Sequence, residues 1–128
     1  MEYPADLKYT SDHEWIRDNG DGTATVGVTD FAQSELGEIV YVEVDADMDT
    51  ALDKEEAFGT VEAVKTTSDL YMPISGAIVE VNEALEDAPE TVNESPYDKG
   101  WIIKMKIGNP EEMDALLSAE DYKAEISA

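Results

Sequence analysis

No cysteine occurs anywhere in the chain, so it can build neither a disulfide framework nor a thiolate metal centre. Histidine is nearly absent too: His13 stands alone, and a zinc site would have to be mostly carboxylate. His13-Glu14 begins like a zinc-protease helix, but the second histidine that His-Glu-x-x-His requires does not exist. Cations are scarce, with eight lysines and arginines against 31 acidic side chains and a formal net charge of −23 at pH 7. Repulsion on that scale makes nucleic acid and anionic membrane surfaces poor partners, while solubility or a salty milieu accounts for the acidity most simply. No apolar run approaches a membrane span, and the N-terminus reads as neither a signal peptide nor an Arg-rich transit segment, so a cytoplasmic location is expected. Catalytic groupings are missing as well. There is no Gly-x-Ser-x-Gly and no phosphate-cradling glycine loop, and carboxylates are so plentiful that their pairing carries little weight.

What is present is 128 residues, 42% of them apolar, enough for one domain with its own core and too short for two. Strand signals dominate the first hundred residues. Glu14 to Arg17 and Thr23 to Val28 flank Asp18-Asn19-Gly20-Asp21-Gly22, which reads as a hairpin turn, without the ligand spacing of a calcium loop. Thr29 is placed to cap a short helix to Leu36, with Gly37 as its stop, and a strand is expected over Glu38 to Val44. Asp45 to Lys54 reads as a solvated acidic loop, and Glu83 to Asn93 as a polar one. Pro73 belongs at a strand edge or bend. Trp101, Ile103, Met105 and Ile107 alternate with Ile102, Lys104 and Lys106, the period of a half-buried last strand. Asn109, Pro110, Glu111 and Glu112 then form a helix start ahead of Met113, Leu116 and Leu117, and Ser118 can cap a further helix with Tyr122 and Ile126 on one face. The expectation is a mostly β single domain, residues 1–128, with a core over about 7–108 and C-terminal helical cover over about 109–126.

The most informative pattern is a near-repeat. Gly59-Thr60-Val61-Glu62-Ala63-Val64-Lys65 is echoed seventeen positions later by Gly76-Ala77-Ile78-Val79-Glu80-Val81-Asn82. Two strand-like units of one pattern, joined through Thr66-Thr67-Ser68-Asp69, suggest a sheet with approximate internal two-fold symmetry and a lysine raised at the end of one strand. An isolated lysine is ordinarily a solvated charge. One in a tight turn between symmetric halves instead presents its ε-amine to an acylating enzyme, and the same geometry would carry a prosthetic arm between active sites.

Leu7-Lys8-Tyr9-Thr10, His13-Glu14-Trp15, Val26-Gly27-Val28-Thr29-Asp30, Ala32-Gln33 and Leu36-Gly37-Glu38 resemble the N-terminal half of the glycine cleavage H-protein family. Glu62-Ala63-Val64-Lys65, Ser68-Asp69-Leu70-Tyr71, Pro73-Ile74-Ser75-Gly76, Val81-Asn82, Asn93-Glu94-Ser95-Pro96-Tyr97 and Gly100-Trp101 continue the likeness in order, from about Leu7 to Tyr122. The resemblance implies a barrel-sandwich hybrid of two small antiparallel sheets with short C-terminal helices, a lipoyl/biotinyl-carrier fold with the lysine at a hairpin tip. It implies that Lys65 is the lipoyl-lysine, its ε-amine joined to lipoate, and that Glu62 and Gly76 occupy the positions read during lipoylation. Glu14 and Asp69 would line a shelter for the loaded arm, where a carboxylate suits a cationic aminomethyl adduct.

The implied role is a non-catalytic, monomeric carrier. It would take the aminomethyl group from the glycine-decarboxylating P-protein to the aminomethyltransferase T-protein and present its dithiol to the dihydrolipoamide dehydrogenase L-protein. A lipoate ligase or a lipoyl/octanoyl transferase would load it. Met72 and Ala63 depart from residues common in the family, without removing a group the chemistry needs. A biotin carrier normally presents Met-Lys-Met and a 2-oxoacid dehydrogenase lipoyl domain Asp-Lys-Ala, and Val64-Lys65-Thr66 fits neither. An H-like relay that passes lipoyl groups to other enzymes is the alternative.

Overall fold

The structure, a computed structural model, describes residues 3–127. Its described strands form two antiparallel sheets. The first has the order β1 (Lys8–Tyr9), β2 (Glu14–Asp18), β3 (Thr23–Val28), β9 (Ile103–Ile107), β8 (Gly76–Val81) and β5 (Ala51–Leu52). The second has the order β4 (Ile39–Val44), β6 (Ala57–Ala63) and β7 (Thr67–Tyr71). Neither closes into a barrel; both are open sheets joined by one apolar core. Ile16, Val26 and Met105 from the first sheet share that core with Ile39, Val61 and Leu70 from the second. Met72 is fully buried in it.

The glycine-led repeat does mark related strands, but not neighbours. Its copies are β6 and β8, which lie in different sheets, and Thr67 to Asp69 belongs to the strand β7 rather than to a linker. Each copy has the same local requirement. Gly59 sits opposite Val44 on β4, and a Cβ there would run into the Glu43 carbonyl oxygen. Gly76 sits opposite Ile107 on β9, and a Cβ there would run into the Lys106 carbonyl oxygen. In both sheets the partner backbone occupies the space a side chain would need, so both copies begin with glycine.

The hairpin of β2 and β3 forms as its Asn-Gly and Asp-Gly pairs dictate. Asp18 accepts from the Gly20 N–H at 2.9 Å, and Asp21 accepts from the Thr23 N–H at 3.0 Å. Thr29 caps α1 (Asp30–Leu36) by accepting from the Ala32 N–H, and Gly37, at φ 82°, ends it. Four segments differ from expectation. Ala51–Leu52 in the acidic loop pairs with β8 as β5. The stretch read as a polar loop over Glu83 to Asn93 instead carries α2 (Ala84–Asp87) and most of α3 (Thr91–Glu94), because Leu85 and Val92 are drawn into the core. The last main strand starts at Ile103, and Ile102 breaks the alternation by being buried with its N–H bonded to the Val26 carbonyl. Pro110–Ala115 winds as a 3₁₀ helix, whose three-residue turn brings Met113 and Leu116 onto the same core.

The C-terminal helix α4 (Ala119–Ser127) starts at Ser118, whose hydroxyl accepts from the Asp121 N–H, and it buries Tyr122 against Tyr9 with ring centroids 4.9 Å apart. The Tyr122 hydroxyl also meets the Thr29 hydroxyl at 2.8 Å and the His13 ring at 2.9 Å. One C-terminal side chain thus ties the start of α1 to the residue beside Glu14. His13 holds a left-handed backbone, φ 66°.

Candidate functional site

Lys65 lies in the turn between β6 and β7, exposed to solvent. The turn is closed by the Ala63 N–H donating to the Thr66 carbonyl at 2.7 Å. It is anchored just ahead of β4 by the Val64 N–H donating to the Glu38 carbonyl at 3.0 Å. The lysine stem runs over Gly37: a Cβ at Gly37 would lie 3.3 Å from Lys65 Cε. Gly37 therefore serves twice, as the positive-φ stop of α1 and as the bare surface on which the lysine rests.

Asn93 holds that seat. Its amide nitrogen donates to the Gly37 carbonyl at 2.8 Å and to the Gln33 side chain at 2.9 Å, and its oxygen accepts from the Ile39 N–H at 2.8 Å. Asn93 belongs to one of the motifs that carry the family likeness, but sequence reasoning gave it no role at the site, because its partners lie more than fifty positions away. Asn93→Ala strands the N–H of buried Ile39 and frees the turn at Gly37. The expected loss is about 3 kcal/mol, read as a lowered urea midpoint at unchanged slope.

Beside the seat is a cavity of about 130 Å3. Val28, Ala32, Leu36, Val61 and Leu70 form its apolar walls, and Asp12, Glu14, Glu35 and Asp69 its carboxylates. Leu36 lines it and the adjacent Gly37 seats the lysine, so α1 connects the two. Glu14 is 2% exposed. Its Oε2 accepts from the Tyr71 N–H at 2.7 Å, while its Oε1 is buried with no hydrogen-bond partner. Burial pushes the Glu14 carboxyl well above the usual carboxylate range, the Tyr71 bond opposes that, and Asp12 adds to it. An unmatched acceptor in an apolar cavity is suited to a small cation or a hydrogen-bond donor, either of which would relieve its desolvation.

The structure brings Glu14 and Asp69 to the same cavity, Glu14 inside and Asp69 exposed at its edge. Glu62 is exposed on β6, three residues before Lys65. Gly76 does not join this group: it is buried on β8, in the other sheet. A larger hollow of about 710 Å3 lies on the outer face of the six-stranded sheet, away from Lys65. It holds Arg17, Lys99 and Lys104 with Asp21, Glu80 and Asp98, of which Lys104 and Glu80 pair at 3.9 Å. Among the described residues the orphaned buried oxygen lies in the smaller cavity, which is therefore the chemically distinctive one.

A small two-sheet domain that raises one exposed lysine on a hairpin has the form of a carrier for a tethered group. Residues 7–128 match the family model described as Glycine cleavage H-protein. The glycine cleavage system H protein of Chromohalobacter salexigens is 56% identical over 125 residues, covering 98% of this chain and 95% of that relative. That of Bacteroides fragilis is 52% identical over 128 residues, covering all of both chains. The crystal structure of a glycine cleavage system H protein from Mycobacterium marinum superposes with a TM-score of 0.84 at 37% identity, covering 98% of this chain and 99% of that one.

The chain belongs to the glycine cleavage H-protein family. It is a non-catalytic lipoyl shuttle of the glycine cleavage system, carrying the aminomethyl group from the P-protein to the T-protein and presenting its dithiol to the L-protein for reoxidation. Family membership implies a lipoyl-lysine, and among the described residues no helix is long and apolar enough to cross a membrane.

Proposed function

We propose that Lys65 is the lipoyl-lysine and that the cavity beside Gly37 shelters the loaded end of its arm. The observation that carries this reading is the buried, unpartnered Oε1 of Glu14 in an apolar cavity next to the lysine's seat. Lipoate in amide linkage to Lys65 supplies an exchangeable disulfide, chemistry that a chain without cysteine cannot provide. The protein supplies position: the hairpin holds the ε-amine in solvent, tethering raises the arm's effective concentration at each partner, and the cavity walls keep water from the adduct. A cationic aminomethyl group would ionise Glu14 and satisfy the oxygen that is otherwise orphaned, and Asp69 at the cavity edge would favour its entry.

Glu62 would be read directly by the lipoate-attaching enzyme, a ligase or a lipoyl/octanoyl transferase. Buried Gly76 would contribute through the backbone approach it permits. In this reading residues 1–128 work as one cytoplasmic, monomeric carrier domain of the flattened barrel-sandwich type. Its P-protein partner decarboxylates glycine, its T-protein partner accepts the aminomethyl group, and its L-protein partner reoxidises the dithiol. Intact-mass measurement with peptide mapping on protein from lipoate-replete cells is expected to find a single lipoyl adduct, on the peptide containing Lys65. An adduct on another lysine would overturn the assignment.

A further inference from the structure

The outer face of the three-stranded sheet carries apolar surface that the core does not explain. Val40 is 45% exposed, Tyr41 46% and Val64 70%. Strict alternation along β4 would bury one of any two adjacent residues. A register shift between Ile39 and Tyr41 instead lets Ile39 and Val42 both turn inward and leaves Val40 and Tyr41 both outside. Tyr41 then lies opposite Glu62, so their side chains share a face, and Val64, in the turn just past the end of β6, adds exposed apolar surface next to Lys65. Glu43 opposite Thr60, and Asp69 opposite Thr60 on the other side, complete it. The result is an apolar strip among the carboxylates of Glu43, Glu62 and Asp69.

We propose that Val40, Tyr41 and Val64, with Glu43, Glu62 and Asp69 around them, form the docking surface for the enzyme that acylates Lys65, which would present an apolar centre within a basic rim. The inference rests on the assignment of Lys65 above. The acylating enzyme is chosen over the other partners by reach. Its activated acyl carbonyl has to come within bonding distance of Nζ itself: the amide C–N bond forms, the bond from the acyl carbon to its leaving group breaks, and Nζ gives up its proton. It must therefore cover the residues immediately around the turn, Val64 first. Enzymes that meet the finished arm can stand off by the arm's length. The acidic residues give the complementary charge, since the only cation on this face of the hairpin is the lysine to be acylated.

The test compares the full chain with Tyr41→Ser, Val64→Thr and the double variant as substrates of a purified lipoate ligase supplied with lipoate and ATP. Both substituted positions are exposed, so matching thermal melts will show that the fold is intact. The double variant is expected to raise the KM for the carrier about tenfold at nearly unchanged kcat, the scale of losing an aromatic anchor at an interface. KM is also expected to rise with ionic strength. Carrier acylated to completion at high ligase concentration should then support glycine–bicarbonate exchange with P-protein as well as the acylated parent does. An unchanged KM with label still on Lys65 would overturn the docking surface alone, and label on another lysine would overturn the Lys65 assignment. A matching loss in the exchange reaction would overturn the choice of the acylating enzyme.

Discussion

Lys65→Arg is expected to abolish lipoylation and, with it, all support of glycine cleavage, while leaving the fold intact. Arginine keeps the positive charge and a stem that can lie over Gly37, but its guanidinium stays protonated and offers no nucleophilic amine to an acyl donor. The position is exposed and the turn is held by backbone bonds from Ala63 and Val64, not by the lysine head group. Stability should therefore stay within about 0.5 kcal/mol of the parent. Mass spectrometry after incubation with a lipoate ligase reads the first effect, and a urea titration the second. Persistent mass addition would show that one of the other lysines is the acceptor. A collapse of stability would show that Lys65 is a structural residue.

Glu14→Gln is expected to speed loss of the aminomethyl group from the loaded carrier by about tenfold, equivalent to about 1.4 kcal/mol of lost charge stabilisation. Glutamine can still accept from the Tyr71 N–H, so the change removes the charge and leaves the backbone contact. The empty protein offers a second readout. The folded-state pKa of Glu14 is raised, mainly by burial, so the folded form prefers the neutral acid. Its contribution to stability is fully present below the ordinary carboxylate pKa and is lost as pH rises through the raised value. Asp12 adds to that trend, and Glu35, Asp69 and His13 line the same cavity. Glutamine stays neutral throughout. The melting temperature of the variant relative to the parent should therefore climb as pH is raised from 4 through neutrality, starting from a deficit of about 1–3 kcal/mol for its unpaired amide group. A constant difference across that range would show that Glu14 is not a buried titrating group.

The hairpin, the helix at Thr29, the stop at Gly37 and the exposed turn at Lys65 were legible because each depends on residues adjacent in sequence. Asparagine and glycine set the turn, a hydroxyl sets the cap, and a glycine accepts the positive φ. The short helices over 84–94 were not legible. Their sequence is polar, and they exist because Leu85 and Val92 find space in a core built by other segments. The 3₁₀ winding after Asn109 has the same origin. At the site, the turn was readable and the seat was not, since the Gly37, Lys65 and Asn93 arrangement joins three separate stretches of chain.

By itself the sequence determined the chemical limits and the handle: no thiol, no catalytic set, an overwhelmingly acidic surface, and one lysine in a turn between two glycine-led strand units. Those follow from composition and from spacings of a few residues. Only the tertiary structure decided that the two units belong to different sheets, that the glycine in each makes room for a partner strand's carbonyl, and that Glu14 loses its solvent while one oxygen stays unpaired. Burial, close backbone approach and unsatisfied polar atoms depend on what packs from elsewhere in the chain. No local pattern records them.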